Sequence, residues 1–380
     1  METEFLEDGP GCFDQLKDSI AKVGIGFVMI LIAFSLTFWN EGRAVKRAQD
    51  LAFGKGSVVS ISSDKIDSGK VGKLVHTSGK LAVKTDVVDP HFKIHANALG
   101  LTRTVEMYQW KEKKTKKKKK TKYSYEQVWS SSSINSSSFK KTKFNNPGFP
   151  AFKTETFHSK NVSLGAYGLD DVLIKKWSIS DSYTPKAEEL SAFGKVNGFS
   201  PVLDGTTVLY GTPGSPVVGD VRVSFKIGAP GEASVVSGLE KTKLTPFTSG
   251  EMNGTLALLE SGTKSSNAMF QTAEDENTMM TWILRLVGFF LMFIGFNLLF
   301  GPLDTVMRMI PIIGAVIDFG TTLIAGLLAF GLTFITISIG WIFYRPLIGI
   351  PLLLIGFGAI GGIIFLAMKA NKKNNASATA

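Results

Sequence analysis

His91 and His95, in HFKIH, are the nearest approach to metal-ligand spacing in a chain with four histidines and one cysteine. On a helix, residues four apart would converge on one cation. The surrounding residues alternate as in a strand, however, where the two imidazoles share a face with Lys93 between them, a poor site for a cation. His76 and His158 have no ligand-like neighbours in sequence. The lone thiol, Cys12, forms neither an internal disulfide nor a cysteine-based zinc site. Serines and aspartates are plentiful, but no G-x-S-x-G, H-E-x-x-H or phosphate-cradling glycine loop accompanies them. The sequence therefore nominates no catalytic residue, no metal ligand and no cofactor.

The other chemistry-bearing feature is Lys111–Lys122, whose nine lysines and one glutamate supply +8 of the formal net charge of +10. The rest of the chain is close to neutral, so it has no distributed basic face. Nucleic-acid binding would need stackable aromatics interleaved with the lysines on an accessible surface. Here the aromatics flank the run instead, as Tyr108 and Trp110 before it and Tyr123, Tyr125 and Trp129 after it. Period-two alternation on both sides predicts a β-hairpin with a long, solvated lysine tip. Pairing Trp110 with Tyr123 and Tyr108 with Tyr125 would give an aromatic cross-strand ladder. The tip is expected to be solvated and without a partner; the alternative is contact with anionic headgroups or with an acidic patch on a neighbouring subunit, and no nucleic acid is expected.

Apolar runs decide the class. Residues 23–39 are uncharged and end in Trp39, long enough for an uncleaved membrane anchor. Residues 279–300 form a second span, interrupted near its start by Arg285, whose long side chain is expected to snorkel to the interface. Residues 320–343 and 347–368 form a helical hairpin about Tyr344, Arg345 and Pro346. The intervening 301–319, broken by Pro302 and Pro311, predicts an interfacial or re-entrant segment carrying Asp304, Arg308 and Asp318. Lys369, Lys372 and Lys373 in the 369–380 tail oppose Arg345, which favours a cytoplasmic tail, a cytoplasmic 1–22 and an extracytoplasmic 40–278. The expected fold is thus a multi-pass α-helical membrane protein of four spans with a large β-rich α+β domain between spans 1 and 2.

Within 40–278, GKLVHTSGKLAV predicts a hairpin about Thr-Ser-Gly. The serine-rich 130–150 is the best place for a subdomain boundary. In VVGDVRVSFKIG, Val221, Val223 and Phe225 line one strand face and Arg222 and Ser224 the other. From Leu259 the alternation fades toward a helix running into the second span.

NEGRA (Asn40–Ala44), VEMYQW (Val105–Trp110), YSYEQVW (Tyr123–Trp129), GDVRVSF (with Asp220 and Arg222) and FYRPL (Phe343–Leu347) occur in that order. With the one-then-three arrangement of spans, they make the chain resemble the transmembrane protein 43 family, also called LUMA, over most of its length. The resemblance implies four spans and a large lumenal or extracytoplasmic domain. Animal members lie in the endoplasmic reticulum and inner nuclear membrane, where they organise membrane protein complexes, self-associate and contact lamina-associated proteins; bacterial relatives would place the chain in the inner (plasma) membrane. The family carries no catalytic residues over. This chain departs from the animal pattern in its short N-terminus, lysine-only tip and Asn-Asn-Ala-Ser-Ala-Thr-Ala tail, which separates it from lamina-type partners.

Two constellations remain. Asn40, Glu41 and Arg43 follow the first span, and Glu41 is expected to meet Arg345 and so lock the first helix against the last two. Gly358 and Gly362 form the one GxxxG within a span, and Ala325 and Ala329 form a similar small patch, for packing within the chain or between copies. The expected function is a non-enzymatic membrane scaffold that is a homo-oligomer, with the lipid bilayer and other membrane proteins as partners. The alternatives are an ion channel or channel-regulating subunit, with Arg285, Asp304 and Asp318 facing a wet interior, and a membrane hydrolase.

Overall fold

The computed structural model describes residues 2–8, 12–117, 120–307, 314–344 and 350–362 apart from 352, 353 and 360. The chain divides into two units, one formed by Met1–Gly9 with Phe53–Phe270 and the other by Pro10–Ala52 with Gln271–Ala380.

The first unit is the β-rich domain. In chain order its strands are β1 (Glu2–Asp8), β2 (Val59–Ser60), β3 (Leu74–Val83), β4 (Val87–Asp89), β5 (Ile94–Ala96), β6 (Gly100–Lys117), β7 (Lys120–Ser130), β8 (Glu155–His158) and β9 (Val162–Leu164). There follow β10 (Tyr167–Leu169), β11 (Asp181–Tyr183), β12 (Val202–Asp204), β13 (Thr207–Tyr210), β14 (Val221–Gly228), β15 (Glu232–Glu240), β16 (Lys243–Thr245) and β17 (Leu258–Ser261).

Five of these strands close on themselves. β3 pairs antiparallel with β9, β9 with β10, β10 parallel with β16, β16 antiparallel with β15, and β15 back with β3. A short helix, Asp171–Ile174, lies between the third and fourth barrel strands. That connectivity is the one found in OB barrels, and closure removes the exposed edges that an open sheet of such short strands would leave. Val75, Leu81, Leu164, Tyr167, Leu173, Val235 and Leu244 fill the interior. The expected hairpin at Thr77–Gly79 does not form. β3 runs straight through, because the seven residues opposite it on β15 offer a continuous ladder.

Two long excursions leave the barrel, between β3 and β9 and between the short helix and β15. They meet in a second sheet ordered β1-β7-β6-β14-β13-β12, with β8 and β11 paired to β6 and β14. The seam is Gly100–Met107 against Val221–Gly228. Val221, Val223 and Phe225 are buried there with Val105, Met107 and Phe92, as their alternation predicts. Arg103 crosses this core; its Nη1 donates to both Asp89 oxygens at 2.6 and 2.7 Å, and its guanidinium lies 5.4 and 5.5 Å from the Phe92 and Phe157 rings.

The hairpin β6–β7 differs from expectation in register and tip. Met107 pairs with Ser130 and the ladder runs unbroken to Lys117 against Lys120. Tyr108 therefore faces Trp129 and Trp110 faces Gln127, four residues from the expected pairing. The shift is even, so each aromatic keeps its face. A run of near-identical lysines carries no information about register. They form the outer ladder of the hairpin, not a long loop.

The serine-rich 130–150 is a strap across that hairpin. Asn146 accepts the Trp110 amide at 2.7 Å and donates to its carbonyl at 2.9 Å, while Gln109 accepts from Ile134 N and donates to Ser132 O. Phe144 stacks on Tyr125 at 3.9 Å and meets Trp110 edge-on at 4.7 Å. These residues lie within the first unit.

The second unit is helical. Helices α1 (Cys12–Ser57), α4 (Ser266–Met307) and α5 (Gly314–Tyr344) are numbered after α2 (Asp171–Ile174) and α3 (Ala187–Ser191). Three stretches, Ala21–Ser57, Ser266–Gly301 and Gly320–Ile342, are long and apolar enough to cross a membrane. Ile25, Phe27, Leu31, Ile32, Trp282, Leu286 and Leu323 stand exposed along them, as lipid-facing residues would. The expected fourth span, 347–368, lies largely outside the described residues. Helix α4 continues through Pro302 to Met307 and α5 begins at Gly314, so the described part of 301–319 is helical, and residues 308–313 lie outside the described residues. Ala33, Met292 and Ala329 form the buried contact of α1, α4 and α5.

Candidate functional site

Within the helical unit, polar and small apolar side chains recur at helical spacing on two facing stripes. On α1 these are Asn40, Glu41, Ala44, Val45 and Ala48; on α4 they are Asn277, Thr278, Thr281, Trp282 and Arg285. Residues four apart on one helix stack on one face, so each stripe presents its groups in register along the contact.

Glu41 is the centre. Arg285 donates to it twice, Nε to Oε1 and Nη2 to Oε2, each at 2.7 Å. The Trp341 indole N–H of α5 also donates to Oε2. Glu41 is 1% exposed and Arg285 12%. The guanidinium carbon lies 4.8 Å from the Trp282 ring and 5.4 Å from that of Trp341, which adds cation–π attraction on both sides. One carboxylate thus ties three helices together. Gly340 makes the approach possible, since a Cβ there would stand 2.8 Å from Glu41 Cβ.

Beside it a neutral ladder continues along α1 and α4. Asn40 Nδ2 donates to the Thr281 carbonyl at 3.1 Å, and Asn277 Nδ2 donates to the Ala44 carbonyl at 2.9 Å. Arg43 donates to Asn40 Oδ1, Asn277 Oδ1 and Thr281 Oγ1 at 3.0–3.3 Å. Farther along the same two helices, Gly26 and Gly295 bring the backbones into contact: a Cβ on Gly26 would lie 2.6 Å from the Gly295 carbonyl oxygen.

Arg285 does not snorkel; a buried carboxylate one helix away holds it. The expected Glu41–Arg345 contact falls outside the described residues; among those described, Arg285 and Trp341 reach Glu41 from α4 and α5. Arg345 and Pro346 lie outside the described residues, as does the Tyr344 side chain. Asn277, Thr281, Trp341 and Gly340 were not singled out from sequence. The signal for the first two was present, as Asn277, Thr281 and Arg285 fall four apart at the start of an apolar helix. Gly358 and Gly362 have open space around them, and the intrachain contact is made by Gly356, against Ile335 and Gly331 of α5. Ala325 and Ala329 are both fully buried.

In the domain, the hairpin residues form a separate cluster. Tyr125 is fully buried; its hydroxyl donates to Glu112 at 2.7 Å and accepts from the Lys141 amide at 3.0 Å. Burial, with the Glu112 hydrogen bond, pushes the phenol up to about 12. Tyr108 and Trp129 rings stand 5.1 Å apart, and the Arg222 guanidinium caps Trp129 at 4.5 Å while pairing with Glu106 at 2.7 Å. Lys113 pairs with Glu126 at 2.6 Å and Lys114 lies 5.3 Å from the Tyr123 ring. Asp220 is 1% exposed and accepts the Val217 amide at 3.0 Å, with its Oδ1 unpaired among the described residues.

Ser60 Oγ stands 3.4 Å from His76 Nδ1, whose Nε2 lies 2.8 Å from the Lys264 carbonyl. The order of a nucleophile, a base and an orienting group is there, but the serine is exposed and the contact long, without a walled pocket around it. His91 packs between Phe92 and Phe152 at 4.8 Å from each ring, and His95 is exposed on β5. Among the described residues no three His, Cys, Asp or Glu side chains gather to hold a metal.

Comparison with known proteins gives one consistent result. Residues 107–346 match the family model described as transmembrane protein 43. The chain is 32% identical over 360 residues to transmembrane protein 43 of Rattus norvegicus, covering 89% of this chain and 88% of the relative, and equally so to that of Homo sapiens. It is 26% identical over 350 residues to the transmembrane protein 43 homolog of Drosophila melanogaster, covering 87% and 91%. No solved structure matches it.

Proposed function

The chain belongs to the transmembrane protein 43 family, and from that premise we propose that it is a non-enzymatic integral membrane scaffold that organises membrane protein complexes by self-association. In this reading four spans cross the bilayer, both termini are cytoplasmic and 40–278 stands on the opposite side. The membrane is the plasma membrane in a bacterial cell and the endoplasmic reticulum or inner nuclear membrane in a eukaryotic one.

One observation carries the reading. Two charged groups at the contact of α1, α4 and α5, Glu41 and Arg285, are spent on each other and on Trp341. Ion pathways keep such groups on a wet wall, whereas here they fix helices to one another. That favours a rigid support over a conduit. The domain also offers an edge for assembly: among the described residues β12 pairs only with β13, and Val202 and Leu203 on it are 43% and 40% exposed. Unprotected apolar edges invite a further strand, and an antiparallel pair is self-complementary about a two-fold axis.

Mass measurement of the full chain in detergent tests this. A defined oligomer that falls apart when Leu203 is changed to Lys supports the scaffold. A strict monomer overturns it. The channel reading survives only if reconstituted bilayers conduct.

A further inference from the structure

Three Asn-x-Ser/Thr triplets without proline occur in 40–278, at Asn135, Asn161 and Asn253, and a fourth, at Asn375, lies in the tail. Such triplets accept N-linked oligosaccharide in lumenal or secreted chains when the asparagine reaches solvent. The fold separates the three in the domain. At Asn161 the required hydroxyl belongs to Ser163, which is 5% exposed on β9 between β3 and β10. At Asn253, both the asparagine and Thr255 are engaged in further polar contacts.

Asn135 is different. It stands exposed on the strap, where its Oδ1 accepts from Ser137 N at 3.0 Å and from Ser137 Oγ at 2.8 Å. Its Nδ2 makes no hydrogen bond among the described residues. The middle residue, Ser136, is the anchor: its hydroxyl donates to Asn145 Oδ1 at 2.8 Å and accepts the Asn146 amide at 2.9 Å. Asn146 in turn holds the Trp110 backbone. The strap is thus pinned through residue 136, while Asn135 and the exposed Ser137 engage each other. Replacing one hydrogen on Nδ2 leaves Oδ1 able to keep both of its bonds, so a substituent there removes no contact from the strap.

We infer that Asn135 is an N-glycosylation site in a eukaryotic cell. The donor is a polyprenyl-diphosphate-linked oligosaccharide, and the cell's oligosaccharyl transferase is the catalyst. The bond from C1 of the first sugar to the diphosphate oxygen breaks, and Nδ2 forms the new bond to C1. One Nδ2 proton passes to base as the polyprenyl diphosphate leaves, with no oxidation or reduction. The inference rests on the reading that puts 40–278 in the lumen. It deepens that reading, because a glycan on the strap keeps this face in solvent and leaves β12 for self-association.

Synthesis of the full chain with rough microsomes tests it, followed by peptide-N-glycosidase digestion in heavy-oxygen water and mass analysis of the peptide containing Asn135. The expected result is isotope-labelled conversion of Asn135 to aspartate. A glycosidase-sensitive mobility step should be lost in Asn135→Gln and in Ser137→Ala, and kept in Ser137→Thr and in Asn375→Gln. Lys113→Cys in a Cys12→Ser background, offered an impermeant maleimide in the same sealed microsomes, reports sidedness apart from the glycan. Protection of the thiol at position 113 together with an unmodified Asn135 overturns this inference and leaves the lumenal reading standing. Labelling of that thiol from outside overturns the lumenal reading, and the inference with it.

Discussion

Glu41 and Arg285, 244 residues apart in the chain, meet through two parallel hydrogen bonds of 2.7 Å, and the Trp341 indole closes the same carboxylate from a third helix. Fork-to-fork pairing of this kind fixes orientation as well as distance. It makes α1, α4 and α5 one unit at one depth.

Removing one partner is therefore worse than removing both. Glu41→Ala leaves the Arg285 charge buried, and a loss of about 3–5 kcal/mol is expected. Glu41→Leu combined with Arg285→Met is expected to recover most of that loss, since the apolar pair needs no compensation. Chemical denaturation in detergent across the double-mutant cycle measures the coupling; additive losses would mean the pair is not a unit.

The sequence made half of this site legible. Glu41 and Arg285 draw notice because charged residues beside or within an apolar run have few reasons to be there. Their pairing was not legible, since Arg345 lay closer in the expected topology and helix rotation is not written in composition. The barrel was hidden for another reason. Its strands of three residues, such as Val162–Leu164 and Tyr167–Leu169, are too short for alternation to register, and the two long excursions separate partners that pair only in three dimensions. By contrast Val221, Val223 and Phe225 declared their face, because eight residues of one strand alternate against a single core.

The strap over the hairpin is expected to be structural. Phe144→Ala removes a ring stacked on buried Tyr125 and should cost about 3–5 kcal/mol. Loss of near-ultraviolet dichroism with intact barrel secondary structure would mark local release of residues 130–150. Wild-type stability would argue that the stack contributes nothing.

Tyr125 gives a titration test. Its phenol is raised to about 12, first by burial and then by Glu112. The neutral form is the one the fold prefers, so this contribution is complete below the unfolded phenol value of about 10 and is lost as pH rises through 12. Difference absorbance of wild type against Tyr125→Phe should show no ionisation at this residue near pH 10. A normal step there would overturn the Glu112 hydrogen bond.

Asp170 works in the opposite direction. The Val172 amide, which it caps, holds its carboxyl below the ordinary range despite burial, and Lys243 at 3.0 Å assists. The stabilisation is present above the unfolded carboxylate value and fades as pH falls through the lower folded one. Asp170→Ala should cost about 1 kcal/mol at neutral pH and progressively less in strong acid. Melting temperatures at two pH values suffice; an equal gap at both would mean that charge plays no part.

Sidedness decides between two placements of the N-terminus. Four spans put residues 1–22 across the membrane from 40–278, whereas Leu6–Asp8 pair in register with Lys122–Lys120 on the edge of the hairpin. Both cannot hold in one copy of the chain. With Cys12→Ser as background, Lys113→Cys and Glu4→Cys can be offered to a membrane-impermeant maleimide in sealed vesicles. Four spans predict that the two positions label from opposite sides. Labelling of both from one side, together with a disulfide within one chain between Leu6→Cys and Lys122→Cys, would establish the strand pairing in the membrane. The cytoplasmic N-terminus would then be wrong, and α1 would no longer separate the two compartments. A disulfide between two chains would instead make the hairpin edge an acceptor for a neighbour's N-terminal strand, which four negatively charged residues in Glu2–Asp8 suit against the lysines of β7.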